Sequence, residues 1–439
     1  MSSLNLARRL LLSATSQVLP RHDISTSDVS STRAHTSIDE QDAVNTGADM
    51  PLLDIDLDAL ARDLNALRDE LREQMGEEDL KHLKKMVRWG RAASFVGWAT
   101  SGIIPNPISP LLMSSANFSR WAMIAHHVLH RGYDKVEGTP GHYTSKGFAK
   151  GARRILDWMD WIEPEAWVHE HNFQHHYKLG EAHDPDQPEL NLEFLRNSKL
   201  PMSLRYAVVG FFSITWKYLY YAPNTHGELH YHKLRKKEQG ERLDLFNWRL
   251  WAPFAAPGWK LWAKSWLPYF VWRFVLLPLP FLLFGPLAWA SSLTNMVLTE
   301  IFTNFHSFFI IVPNHAGEDL YRFEEPIKDR AEFYLRQIIG SSNYKTGGDL
   351  NDFLHGFLNY QIEHHLWPDL SMLAYQKAQP KVKEICERHG VPYTQESALI
   401  RFKKLIDVMV GKTSMKSFEE DVKKGLAVIR SKKLSRKPA

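Results

Sequence analysis

Two long apolar, aromatic-rich stretches, residues 92–125 and 266–313, stand in a chain whose ends are polar and charged. A run of about 20 apolar residues is long enough for a helix to cross the hydrocarbon core of a bilayer. Prolines interrupt the first stretch from residue 105 onward, and a Gly-Pro pair at 285–286 interrupts the second, so each is expected to turn back on itself. The sequence therefore predicts an all-α integral membrane protein with about four transmembrane helices in two hairpins, over residues 92–105, 108–127, 266–290 and 291–313.

Basic residues flank the open end of the first hairpin. Arg88 and Arg91 precede it, Arg131 and Lys135 follow it, and the proline turn between its helices carries no charge. The positive-inside tendency places such flanks in the cytosol, or in the stroma or matrix of an organelle. We therefore expect a helical cap on the cytosolic side of the membrane.

The rest of the chain divides by composition. Residues 1–50 are predicted to be disordered, and residues 1–22, with arginines and serines but no acid, fit either a transit peptide or an uncleaved tail. Residues 51–90 are predicted to form an amphipathic helical segment, 91–375 the membrane domain, and 376–439 a helical region with a basic tail.

Two segments carry alternative interpretations. Five leucines between Leu57 and Leu71, spaced three and four residues apart, share one helix face, which would dock on the protein or lie on the membrane surface. Residues 203–222 are apolar but contain Arg205 and Lys217. We interpret that stretch as an interfacial helix and a fifth span as the less favoured alternative.

The charge and the cysteine count exclude several classes. The net charge of +4 is small, so nothing indicates a nucleic-acid partner. Cys386 is the only cysteine, which excludes an internal disulfide and a thiolate metal cluster. The 21 histidines occur in clusters, and histidine is the commonest metal-ligating side chain.

Two histidine clusters lie in the first half of the chain. In the first, His126 and His130 are one helical turn apart and project from the same face. In the second, His171 and His175 repeat that spacing, and the adjacent His176 diverges from His175, so the cluster can serve two metals. The alternative for the first cluster is a hydrogen-bonded polar pair at a membrane interface.

A third cluster, Gln361-Ile362-Glu363-His364-His365, follows the fourth predicted span, and Glu363 is a candidate acceptor for a ligating imidazole. His315 lies at the exit of that span. His306 lies within it, where an ionisable residue is costly and is a functional candidate by default; the alternative is a packing histidine.

All these clusters fall on one side of the predicted membrane. Such a set of imidazoles, without thiolates, suits iron or zinc and is large enough for two metals. The candidate catalytic residues and metal ligands are His126, His130, His171, His175, His176, His315, His364 and His365, with His306 as a further candidate ligand.

These clusters resemble the three histidine boxes of the membrane fatty acid desaturase family, of the forms H-x-x-x-H, H-x-x-H-H and H/Q-x-x-H-H. His126 and His130 match the first box, and Gln361 to His365 match the third in the glutamine form of front-end and sphingolipid-type acyl desaturases. The resemblance spans about residues 90–375. It implies that Gln361 supports the ligands of a di-iron centre.

The chain departs from the family pattern in two places. In the second box, Asn172 stands where the family has its first histidine, and His171 lies one position earlier. Either His171 reaches the metal or Asn172 replaces it through water; we favour His171. The His-Pro-Gly-Gly haem motif of a fused cytochrome b5 domain is also missing from the sequence, so the resemblance implies a separate electron donor, cytochrome b5 or ferredoxin.

The resemblance implies an oxygen-dependent desaturase of fatty acyl lipids with two iron ions, in the endoplasmic reticulum or an organelle membrane. Phe305 and Phe308 are candidates for the wall of its acyl tunnel. A membrane di-iron hydroxylase is the nearest alternative, and a histidine-rich metal-binding or metal-transporting membrane protein is a more distant one. A further group, His226 to His232, precedes a basic run and is interpreted as an interfacial loop, with metal binding as the less favoured alternative. The basic run could equally dock an acidic electron donor.

Overall fold

The computed structural model describes residues 51–235, 242–243 and 245–434. The predicted disordered segment 1–50, with its transit-peptide interpretation, lies outside the described residues, as do the basic residues at 236, 237, 436 and 437. The longer helices are α1 (Leu57–Glu73), α2 (Glu77–Thr100), α3 (Ile108–Phe118), α4 (Met202–Ser213), α5 (Ala222–Arg235), α6 (Gly258–Phe284), α7 (Pro286–Ile311), α8 (Arg330–Ile339), α9 (Met372–His389), α10 (Ala398–Met409) and α11 (Phe418–Leu434).

Short helical segments complete the described chain. Those that carry or support the histidine boxes are Ser119–Ala125, His126–Leu129, Pro164–Trp167, Val168–His175, His176–Lys178, Val312–His315, Leu358–Tyr360 and Gln361–Leu366. The others are Pro51–Leu53, Gly141–Tyr143, Arg153–Asp157, Pro188–Asn191, Glu193–Arg196, Lys217–Tyr221, Trp248–Trp251 and Asp349–Leu354. In the described part of the chain, two two-residue strands, β1 (Tyr321–Arg322) and β2 (Lys416–Ser417), pair in parallel. The structure is mostly helical, as predicted.

The leucine face of α1 is buried against the protein. Asp56 caps the helix by accepting hydrogen bonds from two backbone amides of its first turn. Leu60 and Leu64 are fully buried, and the helix packs against α8 and α9. Of the two interpretations of this segment, docking on the protein is therefore the one observed. Gly76 separates α1 from α2 within the predicted helical segment 51–90.

The first hairpin is formed by α2 and α3. Helix α2 enters the predicted first span without a break and ends at Thr100; α3 continues through a π-helical segment to His126–Leu129. The two helices approach closely at Gly97, where an added Cβ would lie 2.8 Å from Met113 Cγ and 2.9 Å from the carbonyl oxygen of Ser109. Only glycine permits this approach without a shift of the neighbouring helix.

Replacing Gly97 with valine should therefore force α2 and α3 apart. Overpacking of this kind costs about 1–3 kcal/mol, so the thermal midpoint of the detergent-solubilised protein should fall. Gly210→Val in α4 is the matched control, because an added Cβ there meets nothing within 4 Å. An equal loss of stability in both variants would contradict the close approach.

The second hairpin contains the most apolar helices of the described chain. Among the described residues, two helices are long and apolar enough to cross a membrane, Gly258–Phe284 and Pro286–His315, judged by length and composition. The break between them is Gly285, with φ of 100°, a left-handed conformation that glycine adopts without strain. The predicted boundary between residues 290 and 291 was wrong, because the Gly-Pro pair ends the helix six residues earlier.

The tips of the two hairpins lie side by side. Ser101 Oγ is 2.9 Å from Ser292 Oγ, and Asn295 Nδ2 donates to the Ser101 carbonyl at 2.8 Å. Apolar side chains around these tips, including Ile103 and Leu287, are exposed. The opposite ends of the two hairpins carry His126 and His315, which line one cavity.

The stretch predicted as an interfacial helix contains α4, which has 12 residues. A helix of this length is too short to cross a bilayer. It packs against α7 and α10, and it is not among the described helices that are long and apolar enough to cross a membrane.

Candidate metal centre

The histidine boxes converge from four parts of the chain at the open ends of the two hairpins. His126 and His130 lie at the end of the first hairpin, and His315 follows α7 in the turn Val312–His315. The second box lies on the π-helix Val168–His175 and the helix after it, and the third box lies on the helix Gln361–Leu366. All eight candidate catalytic imidazoles are buried.

The eight imidazoles form two neighbouring groups. The five-histidine group contains His126, His130, His171, His176 and His364, and the three-histidine group contains His175, His315 and His365. Within each group, one ring nitrogen of every histidine lies within 4.8 Å of the others. The groups are in contact, because the ring of His176 stacks on that of His365 at 4.2 Å.

The spacing of the ring nitrogens fits metal ligation. His171 Nε2 lies 2.9 Å from His126 Nε2 and 3.2 Å from His176 Nε2. His364 Nε2 lies 3.1 Å from His176 Nε2. Ligand nitrogens around one ion lie about 2.9 Å apart at adjacent octahedral corners and about 3.3 Å apart in a tetrahedron when the metal–nitrogen bonds are about 2.0–2.1 Å long. The five-histidine group can therefore surround one ion, and the three-histidine group can hold a second.

Unsatisfied nitrogens support the same interpretation. The Nε2 atoms of His130 and His365 are buried without a hydrogen-bond partner, which costs about 1–3 kcal/mol each unless another ligand satisfies them. Burial, reinforced by neighbouring imidazoles, lowers the pKa of His176, His364 and His365 well below the ordinary value. These rings are therefore neutral at pH 7, and the neutral form is the one that ligates metals.

Three partners orient rings of the centre through their Nδ1 atoms. His175 Nδ1 donates to Asp184 Oδ1 at 2.9 Å, and His365 Nδ1 donates to Gln337 Oε1 at 2.9 Å. The Tyr375 hydroxyl donates to the Trp367 carbonyl, so it accepts from His364 Nδ1 at 3.2 Å. A hydrogen bond at Nδ1 directs Nε2 toward the metal.

His175 differs electrostatically from the other ligands. Burial lowers its pKa, but the charge of Asp184 and the hydrogen bond to it outweigh burial, and the net shift is upward. Both side chains are only 2% exposed, so solvent does not screen the pair. Asp184 therefore makes His175 the most basic ligand of the set.

Asp184→Asn should weaken the metal centre without removing a ligand. Loss of such an orienting partner typically costs about 10–100-fold in metal affinity or activity. The measurement is bound iron per protein during titration with a chelator, with Glu189→Gln as the control acid on the same segment, since it pairs with Arg196 away from the histidines. Equal chelator sensitivity of the two variants would contradict the role of Asp184.

The second box departs from the family spacing because it folds as a π-helix. The backbone N–H of His176 donates to the carbonyl of His171, five residues back. A π-turn inserts one extra residue into a helix, so His171 and His176 share a face although an α-helix would separate them. Asn172 points elsewhere and donates from Nδ2 to the Leu129 carbonyl at 3.0 Å. Of the two alternatives, the structure brings His171 to the centre.

His306 lies apart from both groups. Its Nε2 donates to the Leu354 carbonyl at 2.9 Å, and its ring packs 4.2 Å from that of Phe118. This is the placement of a packing histidine, and the structure does not bring His306 to the other candidate ligands.

The two supporting residues predicted in the third box have different surroundings. Gln361 Nε2 lies 2.8 Å from His315 Nε2, so Gln361 contacts a candidate ligand. Glu363 instead accepts hydrogen bonds from Asn343 at 2.8 Å and Tyr393 at 2.7 Å. Neighbouring positions on a helix diverge by about 100°, so Glu363 faces away from the rings of His364 and His365.

Sequence reasoning missed the residues that orient the rings. Asp184 follows the second box by eight positions and is the one with a visible signal, an acid close to a predicted ligand. Gln337 and Tyr375 occupy ordinary positions on α8 and α9, and no sequence pattern distinguishes them.

An apolar cavity of about 370 Å³ reaches the histidines. His126, His171, His175 and His315 line it, and Phe308 is in its wall. Phe305, the other predicted wall residue, is not in contact with the cavity; it is 42% exposed and stacks on Phe309. The remaining wall is mostly apolar and includes Trp121, Val209, Phe212, Trp216 and Leu219.

The group His226 to His232 is involved in ion pairs and packing. His226 Nδ1 lies 3.1 Å from Glu163 Oε2, and Lys233 pairs with Glu165 at 2.7 Å. It contributes no residue to the groups of potential metal ligands found among the described residues. The group is α-helical, part of α5, where a loop was predicted.

Fold and site together define a mostly helical protein with a buried histidine cluster suited to metal binding, beside an apolar cavity. The chain belongs to the fatty acid desaturase family, whose model, described as "Fatty acid desaturase", matches residues 103–397. Its relatives in that family are oxidoreductases, and the chain is an enzyme of that class.

Individual relatives agree with the family. The chain is 25% identical over 362 residues, 80% of this chain and 79% of the relative, to an NADPH-dependent stearoyl-CoA 9-desaturase of Mycobacterium tuberculosis. An acyl-lipid (9-3)-desaturase of Physcomitrium patens is 33% identical over 112 residues, 26% of this chain and 19% of the relative. A chloroplastic acyl-lipid (7-3)-desaturase of Chlamydomonas reinhardtii is 30% identical over 132 residues, 29% and 25% of the two chains.

Proposed function

We propose that this enzyme is an oxygen-dependent desaturase that introduces a double bond into a fatty acyl chain at a di-iron centre. The observation that carries the proposal is that histidines of both buried groups line one apolar cavity. The five-histidine group would hold one iron ion and the three-histidine group the other. Iron and dioxygen together supply the oxidant that an unactivated methylene requires, which side chains alone cannot provide.

The protein's own residues perform three tasks in this reaction. The walls formed by Trp121, Val209 and Phe308 bind the acyl chain and place one carbon–carbon bond beside the histidines. The same walls exclude water, which protects reactive species from side reactions. Asp184 and Gln337 hold protons on the outer nitrogens of their histidine partners, so that the inner nitrogens remain free for iron.

We also propose that both hairpins span the membrane, giving four spans with the histidines on the cytosolic side. The paired tips and their exposed apolar side chains support this placement, because large exposed apolar patches are rare on soluble monomers. Two electrons per turnover would come from a separate protein, cytochrome b5 or ferredoxin, in the endoplasmic reticulum or an organelle membrane.

Product analysis tests the reaction and shows whether the acyl substrate is attached to coenzyme A or to a lipid. The chain is expressed in a host that lacks polyunsaturated lipids, and mass spectrometry follows its acyl chains in both the acyl-CoA and the lipid fractions. A new double bond that requires oxygen supports the proposal. A new hydroxyl group at the same carbon would instead identify the hydroxylase alternative, and metal accumulation without any oxygen-dependent product would identify a metal-binding protein.

Filling the cavity should separate substrate binding from metal binding. Val209 is 2% exposed and lines the cavity, so Val209→Trp should block the acyl chain and reduce product at least about tenfold, the effect of about 1.4 kcal/mol. Iron content should stay at the wild-type value, because the substitution replaces none of the candidate ligands. The matched control is Val297→Trp on the exposed face of α7, which should retain product; normal product from Val209→Trp would place the substrate elsewhere.

A further inference from the structure

We propose that a second cavity, between the first hairpin and α6, binds the headgroup of an anionic phospholipid. The cavity measures about 290 Å³, and Arg91, Arg120 and Arg273 line it. The proposal rests on the proposed membrane placement of the hairpins and is independent of the desaturase chemistry.

The three arginine side chains carry three positive charges, and one neighbouring carboxylate pairs with them. Arg273 Nε lies 2.9 Å from Glu300 Oε1. Glu300 already accepts hydrogen bonds from Tyr269 at 2.7 Å and Trp161 at 2.8 Å. Among the residues that the structure describes, no other carboxylate pairs with these arginines. The cavity therefore has two uncompensated positive charges.

Arg273 has a free donor, and Arg120 donates to a neutral side chain. Arg273 is 4% exposed, and its Nη2 is buried with no hydrogen-bond partner. Arg120 Nη2 donates to Ser94 Oγ at 3.1 Å, a neutral partner that leaves its charge unbalanced. An arginine inside an apolar hairpin is costly unless it is paired. An anion with several acceptor oxygens would satisfy both groups, and guanidinium binds phosphate in this way.

The walls select a lipid over a free anion. Phe95, Trp98 and Trp272 line the cavity beside the arginines, and Phe95 is 65% exposed, so the cavity reaches the outer surface of the hairpins. Free phosphate gains nothing from aromatic walls, whereas the glycerol and first methylenes of a phospholipid do. Arg91 precedes the first span on its cytosolic flank, where anionic lipids are enriched and basic pockets between helices bind their headgroups.

This site is separate from the acyl cavity. Arg120 lines the second cavity, while its neighbour Trp121 lines the first, so the same π-helical segment, Ser119–Ala125, divides the two. A phospholipid bound there would join α2, the first hairpin's return helix and α6, and would stabilise the hairpin pair instead of reacting at the histidines.

The test uses the full-length protein in nanodiscs of phosphatidylcholine, with or without phosphatidylglycerol carrying the same acyl chains. Phosphatidylglycerol should raise the thermal midpoint of the wild type by about 2–4 °C and should remain bound after purification, as mass spectrometry would detect. Arg120→Gln should lose the shift and retain several-fold less of this lipid. Arg91→Gln is a second variant that leaves the fold intact, because Arg91 is exposed; its shift should be reduced.

Arg88→Gln is the matched control, since it removes an equal charge from the same exposed helix surface without lining the cavity; it should keep the full shift. Equal shifts in the wild type and both cavity variants, or equal stability in the two lipids, would overturn the proposal. An equal shift from inorganic phosphate would show a free-anion site and overturn the lipid assignment. Release of the protein from membranes by alkaline carbonate would contradict the membrane placement itself, whereas an inactive protein that still shows the lipid shift would contradict only the desaturase function.

Discussion

His365→Ala is expected to abolish desaturation and to remove one of two iron ions. His365 belongs to the three-histidine group, and its loss leaves two histidines there, fewer than the three protein ligands of a typical catalytic metal site. Product should fall at least about a hundredfold, beyond the loss expected for an orienting residue. Iron per protein, measured by elemental mass spectrometry of the purified protein, should fall from two toward one.

His306→Ala is the matched control for this loss. His306 is also a histidine at the end of the second hairpin, but it hydrogen-bonds a backbone carbonyl outside both groups. Its removal should cost about 1 kcal/mol of stability and leave two irons and most of the product. Loss of iron in His306→Ala, with retention in His365→Ala, would show that His306 and not His365 is the metal ligand.

His171→Ala and Asn172→Ala are expected to differ sharply although the two residues are adjacent. The His171 ring lies between those of His126 and His176, at nitrogen distances of 2.9 and 3.2 Å. Its loss should lower iron per protein from two toward one and reduce product at least about a hundredfold, the same scale as for His365. Asn172→Ala removes one hydrogen bond to a backbone carbonyl, which is worth about 1 kcal/mol, and should retain iron and product.

A double variant tests the π-helix itself. Exchanging the two residues, His171→Asn with Asn172→His, restores the family spacing H-x-x-H-H in the sequence. Because the wide turn brings position 171 to the centre, we expect this variant to bind less iron than the wild type. If the double variant binds as much iron as the wild type, the π-turn adapts to its sequence. The π-turn would then not explain why the second box departs from the family spacing.

The lipid site and the metal centre have different sequence signals. The histidines form motifs at helical spacing, and their clustering is visible without a structure. The arginines of the second cavity are scattered over α2, the first hairpin and α6, and Arg120 lies within a stretch that was interpreted as a plain apolar span. These three charges lie close together only because the two hairpins pack against each other.

The sequence by itself determined the helical class, the hairpin of the most apolar stretch, the shared leucine face of α1 and which histidines were candidates. These properties follow from local spacing and composition, which decide the face and the environment of a side chain. Only the tertiary structure decided which candidates meet. It selected His171 over Asn172 through a π-turn, separated His306, directed Glu363 to Asn343 and Tyr393, and supplied Asp184, Gln337 and Tyr375. The physical reason is that ring orientation depends on packing between segments far apart in the chain, and one-dimensional spacing contains no information about those contacts.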